Sequence, residues 1–173
     1  MKLLGAVLAG GQSRRFGSDK AEALLEGRRL IDLVADALAP QCAALVVCGR
    51  VDHAFTCLPD RPGPGIGPLG GLAAALHHAA SQGYDAVLSA GCDVPNLPGN
   101  LAQLLSGDRA RASIAESQPV IGLWPSGLTV PLDGFIADGG RALYGFAEHV
   151  KARSVVIDPP LANVNRPEDL PPA

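Results

Sequence analysis

Residues 3–20 read LLGAVLAGGQSRRFGSDK, and the fold class turns on this stretch. Residues 3–9 form an unbroken apolar run that passes into Gly10-Gly11 and then into a segment carrying Arg14, Arg15, Asp19 and Lys20. A short apolar run closed by glycine marks a strand buried on both faces, as parallel strands are. Working outward, residues 43–48 and 86–90 repeat the pattern and end at Gly49 and Gly91. Between them, residues 30–39 place Leu30, Leu33, Val34, Ala37 and Leu38 at helical spacing, and the Ala/Leu-rich stretch 69–80 predicts a second helix. The Pro- and Gly-dense segment 59–68 is a loop. Further helices are expected at 97–105, 128–136 and 141–150, with strands at 112–115, 120–124 and 154–157. A turn is expected around 117–119, and a helical turn at 167–170. Alternating strands and helices imply an α/β fold in three layers, a mostly parallel sheet covered on both faces. Ligands in such sheets gather beyond the carboxyl ends of the strands, so the residues after each strand matter most.

Composition narrows the function classes. The chain has 173 residues, 47% hydrophobic and 18% charged, which predicts one domain over 1–173 with a sizeable core rather than a disordered chain. A net charge of −3 and a pI near 5.7 leave no basic field for sequence-independent nucleic-acid binding. No apolar run is long enough to cross a bilayer, and the N-terminus lacks the layout of a signal peptide. The four cysteines (Cys42, Cys48, Cys57, Cys92) form no CxxC pair. They are expected to be free, small, buried residues in a reducing, cytoplasmic setting.

The loop after the first strand carries the chemistry. Paired glycines let backbone N–H groups approach a phosphate, and Arg15 and Lys20 add a planar fork and a point charge around a triphosphate. The spacing is neither a Walker A loop nor GxGxxG, which argues against a dinucleotide-dependent oxidoreductase. Gly-Gly alone would be a turn with a solvated basic rim. Asp93, in Ala90-Gly91-Cys92-Asp93-Val94-Pro95, lies just past an apolar strand and faces the glycine loop if the two strands are neighbours. A lone Asp at a strand end could instead cap the helix that starts near Leu97. No Ser, Cys or His nucleophile with a partner base is evident.

The string Gly10-Gly11-Gln12-Ser13-Arg14-Arg15-Phe16-Gly17-Ser18-Asp19-Lys20 resembles the glycine loop of nucleotidyltransferases, and Leu8-Ala9-Gly10-Gly11 resembles the molybdenum cofactor guanylyltransferases in particular. Sugar-nucleotide pyrophosphorylases and molybdopterin cytidylyltransferases more often carry Leu-Ala-Ala-Gly. Similar matches are Asp60 before Gly67-Pro68-Leu69-Gly70-Gly71, the Cys92-Asp93-Val94-Pro95 segment, Gln118-Pro119-Val120-Ile121-Gly122-Leu123-Trp124, and Asn163-Val164-Asn165-Arg166-Pro167-Glu168-Asp169-Leu170.

The resemblance implies a Rossmann-like nucleotide-diphospho-sugar transferase fold. The activity it implies is transfer of GMP from GTP to molybdopterin, with release of pyrophosphate. GTP would be held by Leu8, Ala9, Gly10, Gly11, Lys20, Asp60 and Asp93, with Asp60 at the guanine end. Asp93 would bind Mg²⁺; Asp93, Lys20 and Arg15 would be catalytic. Asn163 and Asn165 would meet molybdopterin, although an Asn turn before a Pro-initiated helix accounts for Asn163 equally well. The expected partners are the two substrates and molybdoenzyme maturation proteins, with a monomeric protein and neither nucleic acid nor membrane involved.

One departure stands out: where many relatives carry an Asn at the end of the second strand, this chain has Cys48-Gly49-Arg50. That keeps cytidylyl transfer, or another nucleotidyl transfer to a phosphate, open. A GTP-binding carrier or regulatory module is the non-enzymatic alternative. Trp124 is read as core, His53, His77, His78 and His149 as surface or structural, and Asp133 and Asp138 as helix surface or end.

Overall fold

The computed structural model describes residues 1–10, 19–107 and 110–169. Its strands are β1 (Leu3–Leu8), β2 (Leu24–Leu25), β3 (Arg28–Arg29), β4 (Ala44–Cys48), β5 (Thr56–Leu58), β6 (Ala86–Gly91), β7 (Ser113–Ala115), β8 (Gln118–Pro125) and β9 (Arg153–Val155). Its helices are α1 (Leu30–Leu38), α2 (Pro68–Ser81), α3 (Leu101–Leu105), α4 (Thr129–Ala137) and α5 (Leu143–His149). The main sheet has the order β5-β4-β1-β6-β8-β7-β9, with β8 antiparallel to both neighbours and the other pairings parallel. β2 and β3 form a separate small hairpin.

Every residue of β1 is buried, as a central parallel strand requires. Its side chains alternate between two cores. Leu4, Ala6 and Leu8 pack with residues of α2, α4 and α5, while Leu3 and Val7 pack with residues of α1 and α3. The three layers follow directly from this period of two. α2 starts where Gly67, at φ 64°, turns the chain into Pro68, whose fixed φ suits the first helical turn. Its small first face lets it settle deeply on the sheet: a Cβ on Gly71 would lie 3.1 Å from Cys48 Cβ and 3.2 Å from Leu8 Cδ2.

Three expectations change. The helix expected at 97–105 forms only over Leu101–Leu105, because Pro98-Gly99 makes a turn in which the Leu101 N–H donates to the Pro98 carbonyl at 3.1 Å. The turn before β8 lies at residues 116–117, and Pro119 sits inside the strand, next to a register shift between Ile114 and Ala115. Finally, β2, β3 and β5 were absent from the sequence reading; two or three residues are too few to show a period. Among the described residues no helix is long and apolar enough to cross a membrane.

Trp124 is fully buried and stacks on Phe146 with ring centroids 5.8 Å apart, so it is core, as expected. Its indole N–H donates to Ser89 Oγ at 2.9 Å, and that hydroxyl donates to the Val120 carbonyl at 2.8 Å. Ser89→Ala leaves the indole N–H unpaired in the core. We expect a loss of about 2 kcal/mol, lowering Tm by roughly 6 °C in thermal unfolding; an unchanged Tm would contradict this account.

Candidate functional site

β1 ends level with both neighbours. Leu8 is registered with Cys48 of β4 and with Gly91 of β6. The chain therefore leaves the sheet at Ala9-Gly10, Gly49-Arg50 and Cys92-Asp93 along one edge, and the neighbouring strands expected to bring Asp93 to the first loop do so. A cleft of about 240 Å³ opens there, lined among others by Leu8, Ala9, Lys20, Gly91, Asp93 and Val120.

Lys20 begins a 3₁₀ turn, Lys20–Glu22, capped by Asp19, whose carboxylate accepts from the Ala21 N–H at 3.1 Å. Lys20 Nζ donates to Asp93 Oδ2 and to Asn165 Oδ1, each at 3.2 Å. The two charged side chains are 17% and 21% exposed. Mostly shielded from water, a cation and a carboxylate meet at the strand ends, inside the cleft.

The segment carrying Asn165 is strapped onto the same edge. The Val164 N–H donates to the Asp93 carbonyl at 2.8 Å, and the Val164 side chain is buried against Leu30. Asp169 Oδ2 accepts from the N–H groups of Asn165 (2.7 Å) and Arg166 (2.9 Å), which hold its carboxyl below the ordinary range. Asn163 does not reach Lys20; its side-chain oxygen accepts from Gln118 Nε2.

Asp60 lies on the other side of the first loop. A Cβ on Gly10 would sit 3.1 Å from Asp60 Oδ2 and 3.0 Å from Gly49 Cα; one on Gly49 would sit 2.5 Å from Gly10 Cα and 2.9 Å from Asp60 Oδ1. Gly49 also has φ 84°, which favours glycine. The Asp60 carboxylate is thus lodged where two glycine backbones touch, and any side chain at either position would displace it. Asp60 Oδ1 is buried with no hydrogen-bond partner among the described residues, and burial raises the carboxyl pKa. A carboxylate accepts only, so this oxygen suits an N–H donor from a ligand.

Of the residues assigned from sequence, Leu8, Ala9, Lys20 and Asp93 share the cleft, with Asn165 joined to it through Lys20. Gly10 and Asp60 adjoin each other. Gly11 and Arg15 lie outside the described residues. Among the described residues no group of three or more His, Cys, Asp or Glu side chains is placed to hold a metal. A lone carboxylate beside a phosphate site still suits Mg²⁺, which takes one or two carboxylates and completes its shell with phosphate oxygens and water. Asp93 fits that requirement.

Of the cysteines only Cys48 is fully buried, and Cys42, Cys57 and Cys92 are partly exposed. Burial pushes the thiol of Cys48 up to about 12 and those of Cys42 and Cys92 to about 11, so all three are neutral thiols at pH 7. His77 contacts Asp133 on the surface at 2.9 Å.

The sequence reading missed a cluster of charges next to the cleft. Arg50 reaches Asp19 at 2.9 Å and Glu22 at 2.7 Å; Arg29 joins Glu22, Asp32 and the buried Asp52. Nothing in their spacing announces this, since the partners come from three separate segments.

A lysine-bearing turn thus faces a carboxylate across the ends of parallel strands, in a cleft open to a ligand. The family model described as MobA-like NTP transferase domain matches residues 5–156. The chain is 40% identical to the molybdenum cofactor guanylyltransferase of Cereibacter sphaeroides and 37% identical to that of Rhodobacter capsulatus, each match covering 98% of this chain and 94% of the relative. In fold it is similar to the molybdopterin-guanine dinucleotide biosynthesis protein A of Archaeoglobus fulgidus, with a TM-score of 0.76, 22% identity, and 98% and 94% of the two chains covered. It is also similar to 2-C-methyl-D-erythritol 4-phosphate cytidylyltransferase of Thermus thermophilus, with a TM-score of 0.69, 13% identity and the same coverage. The chain belongs to the MobA-like NTP transferase family.

The raised pKa of Asp60 sets a stability prediction. Its ionised form costs the fold, so that cost is absent below the ordinary carboxylate range and grows as pH rises through the raised value. Asp60→Asn removes it. At pH 7 the variant should be more stable than the parent, an advantage that shrinks toward about pH 4 in thermal melts. A variant less stable than the parent at pH 7 would contradict this.

Proposed function

We propose that this chain transfers GMP from GTP to molybdopterin and releases pyrophosphate. The observation that carries the guanine assignment is the buried Asp60 oxygen beside Gly10 and Gly49, which has no hydrogen-bond partner among the described residues. A guanine edge offers two adjacent N–H donors to a carboxylate; a cytosine edge offers one amine, with the N3 and O2 acceptors following it along the edge. The 40% identical relative that carries the guanylyltransferase name supports the same reading.

The nucleophile belongs to the acceptor: its terminal phosphate attacks the α-phosphorus in line, and the bond to the leaving pyrophosphate breaks. The chain therefore needs no nucleophilic side chain. Its task is positioning and charge. Lys20 gives up Asp93 for the phosphate oxygens and stabilises the charge that builds on the leaving group. The backbone at Gly10 lets those phosphates come close. Asp93 would hold Mg²⁺, which when bound supplies Lewis-acid polarisation of phosphate oxygens. Gly11 and Arg15 belong to the same phosphate loop in this reading. Asn165, adjoining Lys20, and Asn163, at the end of β8, mark the acceptor side, where molybdopterin would enter. The protein would work as a monomer in the cytoplasm, exchanging cofactor with molybdoenzyme maturation proteins.

Pyrophosphate release from GTP and from CTP, each with molybdopterin, tests the base assignment. GTP should be preferred, and Asp60→Asn should erode that preference by about 30-fold, the worth of hydrogen bonds to a charged acceptor. A preference for CTP would make the chain a cytidylyltransferase, and tight GTP binding without transfer would make it a carrier.

Asp93→Ala is expected to abolish Mg²⁺-dependent turnover with the fold intact by circular dichroism; substantial residual turnover would remove its metal role. Lys20→Ala should raise the barrier by about 3 kcal/mol in kcat/KM. Kinetics like the parent's would take Lys20 out of the site.

A further inference from the structure

We propose that Arg50 is a positioning residue: acting through Asp19, it fixes the turn from which Lys20 reaches the cleft. The proposal rests on the phosphate role assigned to Lys20 above.

Arg50 follows β4 by two residues, and Cys48 at the end of β4 is registered with Leu8 at the end of β1. Its guanidinium is only 16% exposed and grips both ends of the Lys20 turn. Nη1 meets Asp19 at 3.0 Å (Oδ1) and 2.9 Å (Oδ2), and Nη2 donates to Glu22 Oε1 at 2.7 Å. Lys20 therefore sits between two carboxylates that one planar cation holds together. Asp19 Oδ1 also accepts from the Ala21 N–H, so the residue that Arg50 grips is the one that caps the turn.

The clamp is itself braced. Arg29 Nη1 reaches Glu22 at 3.2 Å and Asp52 Oδ2 at 2.9 Å. Asp52 is buried, and its Oδ1 accepts from the Ala54 N–H at 2.9 Å, so the loop that carries Arg50 is fixed from within.

The need for such a clamp follows from the chemistry of the cleft. Asp93 and Asn165 help to hold the Lys20 ammonium. Once phosphate oxygens arrive, Lys20 exchanges Asp93 for them, and its position then depends on its backbone. Without Arg50, Asp19 and Glu22 would also repel each other across the turn. A lysine at position 50 supplies one point charge, where the guanidinium spans two carboxylates as a fork.

A double-mutant cycle in pyrophosphate release from Mg²⁺·GTP with molybdopterin tests this, with Tm and calorimetric GTP affinity measured for each variant. R50Q should lower kcat/KM by about 10- to 100-fold in the parent and by less than about twofold in the K20A background, because Arg50 acts only through Lys20. R50K should recover part of the loss, and D19N should show the same non-additivity. A merely structural role would lower Tm and cost activity equally in both backgrounds; equal losses overturn the proposal. If R50Q does not fold, D19N decides alone, since Asn keeps the volume and the cap of Asp19. A loss from D19N that persists in K20A overturns the clamp. A silent K20A overturns the assignment of Lys20 itself, and this proposal with it; an impaired K20A with additive R50Q overturns only the clamp.

Discussion

Three parallel strands, β4, β1 and β6, stop level with one another, and the loops they release compete for the same small volume. Strands in a sheet lie about 4.8 Å apart, closer than two ordinary side-chain-bearing loops can pass without shifting. Gly10 and Gly49 resolve the competition by removing side chains where the first two loops touch. The space so freed admits the Asp60 carboxylate, while the third loop brings Asp93 to face Lys20. Altering the register of β1 against either neighbour would move all of these groups at once.

The site uses two carboxylates in opposite ways. Asp93 is half-buried, paired with a cation and bonded through its backbone carbonyl to the strap at Val164. Asp60 has one buried oxygen without a hydrogen-bond partner among the described residues and carries a raised pKa. The first arrangement suits a charge that must change partners; the second suits a charge held in reserve for a ligand's N–H groups, at a cost in stability.

Most of the sheet could be read from apolar runs, because β1, β4 and β6 are buried on both faces and so are written as continuous hydrophobic stretches. The short pieces β2, β3 and β5 could not, since two or three residues carry no period. Lys20 and Asp93 were legible because each follows a strand end, where α/β sheets collect ligands. Gly10 was legible as half of a glycine pair after a strand and Asp60 only through resemblance, while their mutual contact was not legible at all. The contact depends on Gly49, the residue after Cys48, where the sequence departs from the family pattern. Arg50 was invisible for a related reason: its partners, Asp19 and Glu22, precede it by roughly thirty positions, and local spacing holds no information about such a pairing.

Asn165 and Lys20 are 145 positions apart in the chain and meet at one ammonium group. On a ribosome, where synthesis runs from the N-terminus, Lys20 emerges well before Asn165. A nascent chain that has folded β1, β4 and β6 lacks the Val164 N–H bond to the Asp93 carbonyl and the Asn165 oxygen on the Lys20 ammonium until the later segment lies down beside them.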